Sequence, residues 1–329
     1  MRLLITGGAG FIGANLVRIA SADPAVTDIR VLDDLSTGSR SNLAGLDVEL
    51  REGSILDEAR LSRAMAGRDV VVHLAAMSSV PGSIREPIAA HGINATGTLS
   101  VLEAARREGV RHVVLASSSS VYGANPELPK SELTWTSPLS PYAAGKLATE
   151  AYASAYQACY GLPTLAFRLF NVYGPGQRHD HAYAAVIPQF VHAALHDEPV
   201  VIHGDGHQSR DFTYVDTVCE VILDAVRRHV HQPQPVNLAF GARTDLHSVL
   251  AELELILGRP VARRYAPART GDILHSEADN HLMRQLFPQA AAVPLAEGLT
   301  ATVAWHQTHV PLRAQVAARP QRRAEPIVG

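Results

Sequence analysis

In SPYAAGK, residues 140–146, a tyrosine and a lysine stand four positions apart just after a proline. Residues i and i+4 of a helix share a face, so this spacing puts the Tyr142 phenol beside the Lys146 ammonium. Such a pair can act as one unit in proton transfer. Taken alone it is more often a piece of surface packing.

A second constellation raises its weight. ITGGAGFIG, residues 5–13, places Gly7, Gly10 and Gly13 as GxxGxxG straight after an apolar run. Glycines let the backbone approach a pyrophosphate without Cβ atoms, and the helix that follows offers free N–H groups and its positive end. Asp33 closes the next apolar run twenty residues on, where a carboxylate accepts hydrogen bonds from an adenosine ribose. An acid there repels a 2′-phosphate and favours NAD over NADP, with Ser39 and Arg40 close behind as the opposing signal. The competing reading is a glycine-rich turn in an α/β protein that binds no nucleotide.

These residues need a scaffold. Aliphatic runs at 2–6, 28–33, 48–52, 69–75, 111–117 and 162–170 read as strands too continuously apolar to have a wet face. Helical patterns lie between them at 10–20, 56–66, 89–108 and 142–160. Strand and helix in alternation imply an α/β fold, a doubly wound parallel sheet with right-handed crossovers. The serines 117–120 then end a strand, where sites form in open sheets. Beyond Asn171 the texture turns to polar loops, with helices expected at 184–196, 215–229 and 246–257. The expected organisation is a dinucleotide-binding domain over 1–171 to which some later segments return, a smaller substrate-binding lobe over 172–310, and a disordered tail over 311–329.

The bulk properties exclude several functions. With 329 residues and 47% hydrophobic content the chain can bury a large core, as one big domain or two. Lys and Arg number 29 against 32 Asp and Glu, so no basic excess points to nucleic acid or an anionic membrane surface. Cys159 and Cys219 have no metal or redox spacing, which fits a reducing cytoplasm. The N-terminus starts straight into an apolar strand-like run and no uncharged apolar run has membrane-spanning length, so the chain is expected to be neither secreted nor membrane-spanning. Among the histidines, His192 with His196 and His179 with His181 have suggestive spacing but lack a convincing third ligand, so no metal is expected.

HLAAMSSV (73–80), ASSSSVYG (116–123), YAAGK (142–146), RLFNVYGPGQR (168–178), GDGHQSRDFTYV (204–215) and ARTGDILHSEAD (268–279), with the N-terminal glycines, resemble the extended short-chain dehydrogenase/reductases. Within these the sequence is most similar to the nucleotide-sugar epimerases of the UDP-galactose 4-epimerase type. The resemblance runs in order from about residue 1 to about residue 310. It implies that Tyr142 is the acid/base, that Lys146 holds the nicotinamide ribose and lowers the phenol, and that Ser118 binds the substrate hydroxyl. The residue chemistry agrees: a phenol with a pKa near ~10 becomes a usable base beside an ammonium and a positively charged nicotinamide.

By the same resemblance a tightly held NAD contacts Gly7, Gly10, Phe11, Ile12, Gly13, Asp33, Asp34, Ser54, Ile55, Leu74, Ala75, Ala76 and Asn94, besides Tyr142 and Lys146. A UDP-sugar meets Ser79, Ser118, Ser119, Ser120, Tyr142, Asn171, Arg178, Val186, Arg210, Arg269, Asp272 and Ser276. Arginine forks suit phosphate oxygens and an aspartate suits a ribose diol. Two departures stand out. Ser54 replaces an aspartate usual near the adenine, and Ser119 and Ser120 replace the Asp-Glu pair of relatives that dehydrate nucleotide hexoses. Without those carboxyl groups, expulsion of the C6 hydroxyl lacks its acid and base.

The implied reaction is therefore 4-epimerisation: C4 oxidation to a 4-keto sugar and re-reduction on its other face. UDP-glucose or UDP-galactose ranks first as substrate, with N-acetylhexosamines tolerated because Ser276 is small. Arg178 with the serines at 118–120 makes UDP-glucuronate the alternative, and a dehydratase or reductase of the same fold stands behind both. Helices 89–108 and 142–160 are those through which relatives dimerise, so a homodimer is expected by likeness.

Overall fold

A computed structural model describes residues 1–180, 184–268 and 274–310. The chain begins with β1 (Arg2–Thr6), α1 (Phe11–Ser21), β2 (Asp28–Asp33), β3 (Glu49–Glu52), α2 (Glu58–Met65), β4 (Val70–His73), α3 (Val80–Arg85) and α4 (Pro87–His91). It continues through α5 (Gly97–Arg107), β5 (His112–Ser118), α6 (Pro141–Tyr160), β6 (Thr164–Leu169), β7 (Asn171–Tyr173), α7 (Val186–Leu195), β8 (Val200–His203), β9 (Ser209–Arg210) and β10 (Phe212–Tyr214). The remaining elements are α8 (Val215–Arg228), β11 (Val236–Leu238), β12 (Thr244–Asp245), α9 (Leu246–Leu257), β13 (Arg263–Ala266), α10 (His281–Leu286) and α11 (Leu295–His309).

Seven strands form one parallel sheet in the order β11-β6-β5-β4-β1-β2-β3. The chain reverses direction across the sheet between β1 and β4, which opens a crevice at the strand C-termini. Both faces are covered, as the apolar runs require: Leu3, Leu4 and Ile5 of β1 are all fully buried. On one face Leu16, Val17 and Ala20 of α1 join Val218 and Ile222 of α8; on the other, Leu61, Val101 and Leu102 from α2 and α5 meet Ala153 and Tyr156 of α6.

The expected α/β fold is therefore the observed one, with three adjustments. The single helix expected over 89–108 is two helices joined by a π turn at Gly92–Thr96, a wider winding frequent at functional sites. The edge strand β11 went unassigned from sequence because three residues carry too little periodicity. The helices at the C-terminal end, α10 and α11, were not foreseen either, and residues 311–329 lie outside the described residues. A separate apolar cluster under the later segments joins Ile187 and Phe190 of α7, Ile202 of β8, Leu250 of α9 and Leu299 of α11.

Candidate active site

β5 delivers Ser118 to the crevice, and a single 3₁₀ turn, Ser119–Tyr122, follows it. Ser118 Oγ accepts the Ser120 N–H at 3.2 Å. Alongside runs α6, started by Pro141 and by Ser140, whose side chain accepts the Ala143 N–H at 3.2 Å. One turn in, Lys146 is buried and its Nζ donates to the Ala116 carbonyl at 2.7 Å. Burial depresses this ammonium to about 8. Tyr142 is half-buried, with its ring centroid 6.0 Å from Lys146 Nζ and its backbone N–H on Ser83 Oγ at 3.0 Å.

Burial raises the Tyr142 phenol, and the Ser118 side chain works against that rise. The lysine was expected to lower the phenol. Here its ammonium is turned to the Ala116 carbonyl, and Ser118 is the side chain that opposes desolvation. Behind the pair lies His73, whose Nδ1 meets Thr6 Oγ1 at 2.7 Å and whose Nε2 meets Thr98 Oγ1 at 3.1 Å. Complete burial pushes its imidazole down to about 3, so it is a neutral strut at ordinary pH.

The glycine turn is built on excluded volume. A Cβ on Gly13 would lie 2.2 Å from the Gly7 carbonyl oxygen, and one on Gly7, at φ +72°, would lie 2.6 Å from Ala75 N. The turn, the start of α1 and the end of β4 thus meet with no room for a side chain. No side chain caps α1 at Gly10, which leaves the first N–H groups for an anion. Asp33 ties the turn down, accepting Ala9 N–H at 2.9 Å and Leu35 N–H at 2.8 Å. Burial raises its carboxyl against those two bonds.

Asp34 accepts from Ser36 N and Oγ. Arg40, the residue that could greet a 2′-phosphate, is held instead by Glu52. A cradle closed to Cβ atoms, an uncapped helix start and an acid at the end of β2 fit NAD.

The other residues expected to meet the cofactor make contacts of their own. Phe11 and Ile12 open α1. Ser54 Oγ accepts the Leu56 N–H at 3.2 Å, and Ile55 is buried against Gly97. Leu74 N and Ala75 N donate to Thr6, and Ala76 follows. Asn94, in the π turn, clamps the Met77 backbone from both sides, at 2.9 and 3.1 Å. That clamp fixes the loop leading to Ser79, which caps α3 through Gly82 N at 3.0 Å.

Among the later segments a cavity of about 220 Å³ brings together Asn171, Val186 and Arg210 with Phe212, Val201 and His203. Arg210 Nη1 donates to the carbonyls of Ser209 and Leu274 at 2.9 and 3.3 Å. Ser276 lies at the edge of β9, its N–H on the Ser209 carbonyl at 3.1 Å, and is not among the cavity's lining residues. Arg178 forms a two-pronged pair with Asp180, both contacts 2.8 Å, and touches the Thr37 carbonyl at 3.5 Å. Arg269 and Asp272 lie outside the described residues.

Gln177 escaped notice in the sequence. It lines the cavity with Nε2 on the Val172 carbonyl at 3.1 Å, and only the fold turns it inward. Ser83 was missed too, since its contact with Tyr142 bridges 59 residues. Among the described residues no group of three or more His, Cys, Asp or Glu is arranged to hold a metal, and no helix is long and apolar enough to cross a membrane.

The family model described as "NAD dependent epimerase/dehydratase family" matches residues 3–239. The UDP-glucose 4-epimerase of Mycolicibacterium smegmatis is 37% identical over 310 residues, covering 92% of this chain and 97% of the relative. A probable UDP-glucuronate 4-epimerase of Rhizobium meliloti is 32% identical, covering 93% and 97%. Among solved structures, the UDP-N-acetylglucosamine 4-epimerase from Methanobrevibacter ruminantium superposes with a TM-score of 0.88 at 34% identity, covering 93% of this chain and 98% of that one.

Proposed function

The chain belongs to the NAD dependent epimerase/dehydratase family, and from that premise we propose that it is a UDP-hexose 4-epimerase of the UDP-glucose/UDP-galactose type that tolerates N-acetylhexosamines. The observation that carries this reading is the set at the end of β5: Ser118 beside Tyr142, followed by hydroxyls at Ser119 and Ser120 where a dehydrating site needs carboxyl groups.

When bound, NAD supplies a hydride acceptor that can return what it takes. The chain's own residues do the rest. Tyr142 removes the proton from the sugar's 4-hydroxyl and gives it back after the 4-keto sugar has turned over. Ser118 holds that hydroxyl, and its contact with the phenol already counters part of the burial. Lys146, fixed to the Ala116 carbonyl, has its other donor positions available for a ribose. Asn171 and Arg210 on the cavity wall would take the diphosphate, with Arg269 in the same role and Asp272 on the ribose diol by resemblance.

The test is to incubate the protein without added NAD with UDP-glucose, UDP-N-acetylglucosamine and UDP-glucuronate separately, and to resolve the C4 epimers. UDP-galactose from UDP-glucose is the expected product. A 4-keto or unsaturated product with no epimer would overturn the reading.

UDP-glucuronate is the second reading, favoured by one residue. Arg178 stands where it could meet a C6 carboxylate, but it is pre-engaged by Asp180, so a uronate would have to displace that partner. Assembly as a homodimer through α5 and α6 is part of the same proposal, and light scattering of the purified protein tests it.

A further inference from the structure

We propose that Ser117 is a positioning residue for the Ser118–Tyr142 pair, acting through the hydrogen bond it gives to Glu150 inside a buried ion pair. This rests on the reading of Tyr142 as the acid/base. Tyr142, Lys146 and Glu150 occupy positions i, i+4 and i+8 of α6, one stripe facing the end of β5. Glu150 takes Arg168 Nε at 2.9 Å on one oxygen and Nη2 at 2.8 Å on the other. Arg168 is the partner of Ser117 in the β5–β6 register. Ser117 Oγ donates to Glu150 at 2.5 Å and lies 3.5 Å from the Lys146 carbonyl oxygen.

The side chains of Arg168 and Glu150 are only 4% and 6% exposed. A buried pair of this kind adds little net stability, because an apolar pair of equal volume does as well or better. What a fork-to-carboxylate contact does supply is direction. Direction is also what the surroundings enforce: the guanidinium lies 4.7 Å over the Tyr122 ring, and the Tyr122 hydroxyl donates to Asn237 Oδ1 at 2.7 Å. The Glu150 carboxylate therefore has one place to be.

Through Ser117 that place is passed to the last residues of β5 and to the α6 backbone at Lys146. Ser118, one residue on, is left otherwise with its bond from the Ser120 N–H. The charges around the phenol are Lys146 and, behind it, the mutually cancelling Glu150–Arg168 pair, with His73 neutral. Replacing Ser117 by alanine changes geometry and leaves net charge alone.

The experiment uses the NAD-loaded protein as Ser117→Ala and Ser117→Thr, each with and without Tyr142→Phe. Ionisation of the Tyr142 phenol is the near-ultraviolet phenolate absorbance present in one and missing in the other. The expected result for Ser117→Ala is a midpoint raised by about half to one pH unit, kcat down about tenfold, and KM within about threefold. Ser117→Thr, which keeps the hydroxyl, returns both toward the parent.

An unchanged midpoint and kcat in Ser117→Ala, or a loss of kcat matching a loss of folded protein in a thermal melt, would overturn the proposal. Should the alanine variant fail to fold, Ser117→Cys, of similar shape but a weak donor, is read the same way. The titration needs no sugar, so a parent protein inactive on every UDP-sugar would sink the substrate reading while still deciding on Ser117.

Discussion

The glycine turn of the first half and the cavity of the later segments are made by opposite means. At the turn the chemistry comes from what is missing: a Cβ on Gly13 would fall 2.2 Å from a carbonyl oxygen, and the Asp33 carboxylate is already spoken for by two backbone N–H groups. At the cavity it comes from side chains, Asn171, Gln177, His203 and Arg210, carried on short strands and loops around about 220 Å³ of open space. A site made of backbone tolerates almost no change, whereas one made of side chains can be retuned residue by residue.

The largest expected effect lies in neither region but at the end of β5 and the start of α6. On the proposed reading Tyr142→Phe removes the hydroxyl that carries the 4-hydroxyl's proton, so kcat should fall by about 10²–10⁴-fold. Bound NAD, measured by release on denaturation, stays at the parent level because the turn is untouched. Loss of NAD in this variant would show the two regions to be less separate than described.

Next comes the turn itself. Gly13→Ala drives a methyl into the Gly7 carbonyl, costing about 1–3 kcal/mol or more and abolishing NAD retention. Gly92→Ala is its counterpart: the position has helical backbone angles and nothing within 4 Å of a new Cβ. That change is expected to stabilise by about 0.4–1 kcal/mol, read as a raised melting temperature. Equal damage from both would mean that excluded volume is not what shapes the turn.

The same contrast explains how far the sequence could be read. Strands and glycines of the first half announce themselves because a both-faces-buried strand must be apolar and a tight turn must lack side chains. Tyr142 and Lys146 stand out by their spacing on one helix, whereas the role of Ser118 enters only through the resemblance. Gln177 and Ser83 were not, since each acts through contacts created by the fold, and the π turn at Gly92–Thr96 leaves no mark in a helical pattern. For Lys146 and Tyr142, spacing gives proximity, but only the Ala116 carbonyl shows where the ammonium points.

On the cavity side, a smaller and purely affinity-based effect is expected. Arg210→Ala removes a charged donor from the wall while leaving Tyr142, Ser118 and the turn intact. KM for the UDP-sugar should rise about 10–100-fold, the worth of a hydrogen bond to a charged group, with kcat within about threefold. A fall in kcat with KM unchanged would mean the cavity shapes the chemical step and not only the grip.

A last effect, on stability alone, sharpens the comparison through pH. His306 of α11 is fully buried, with neither ring nitrogen partnered among the described residues and the His179 ring 5.6 Å away. Burial first, then the neighbouring histidines, push its imidazole down to about 4. In the first half, His73 is pushed lower still, to about 3, though both its nitrogens have hydroxyl partners. A folded pKa below the unfolded value near ~6.5 means that the unfolded chain binds more protons between the two, so stability rises with pH across that window and is lost as pH falls through it.

Asp211, buried and raised to about 6, contributes with the opposite sign: folded protein binds its proton more tightly between about 4 and 6, and its share of stability fades as pH rises. His306→Leu should therefore flatten the dependence of unfolding free energy on pH between about 4.5 and 6.5 by up to one proton, roughly 1.4 kcal/mol per pH unit. Asp211→Asn should steepen it over the lower part of the same range. Denaturant unfolding at a series of pH values reads both. An unaltered slope in His306→Leu would place the acid sensitivity of the fold in the sheet half, at His73 and His112, and not among the histidines packed together at His179, His192 and His306.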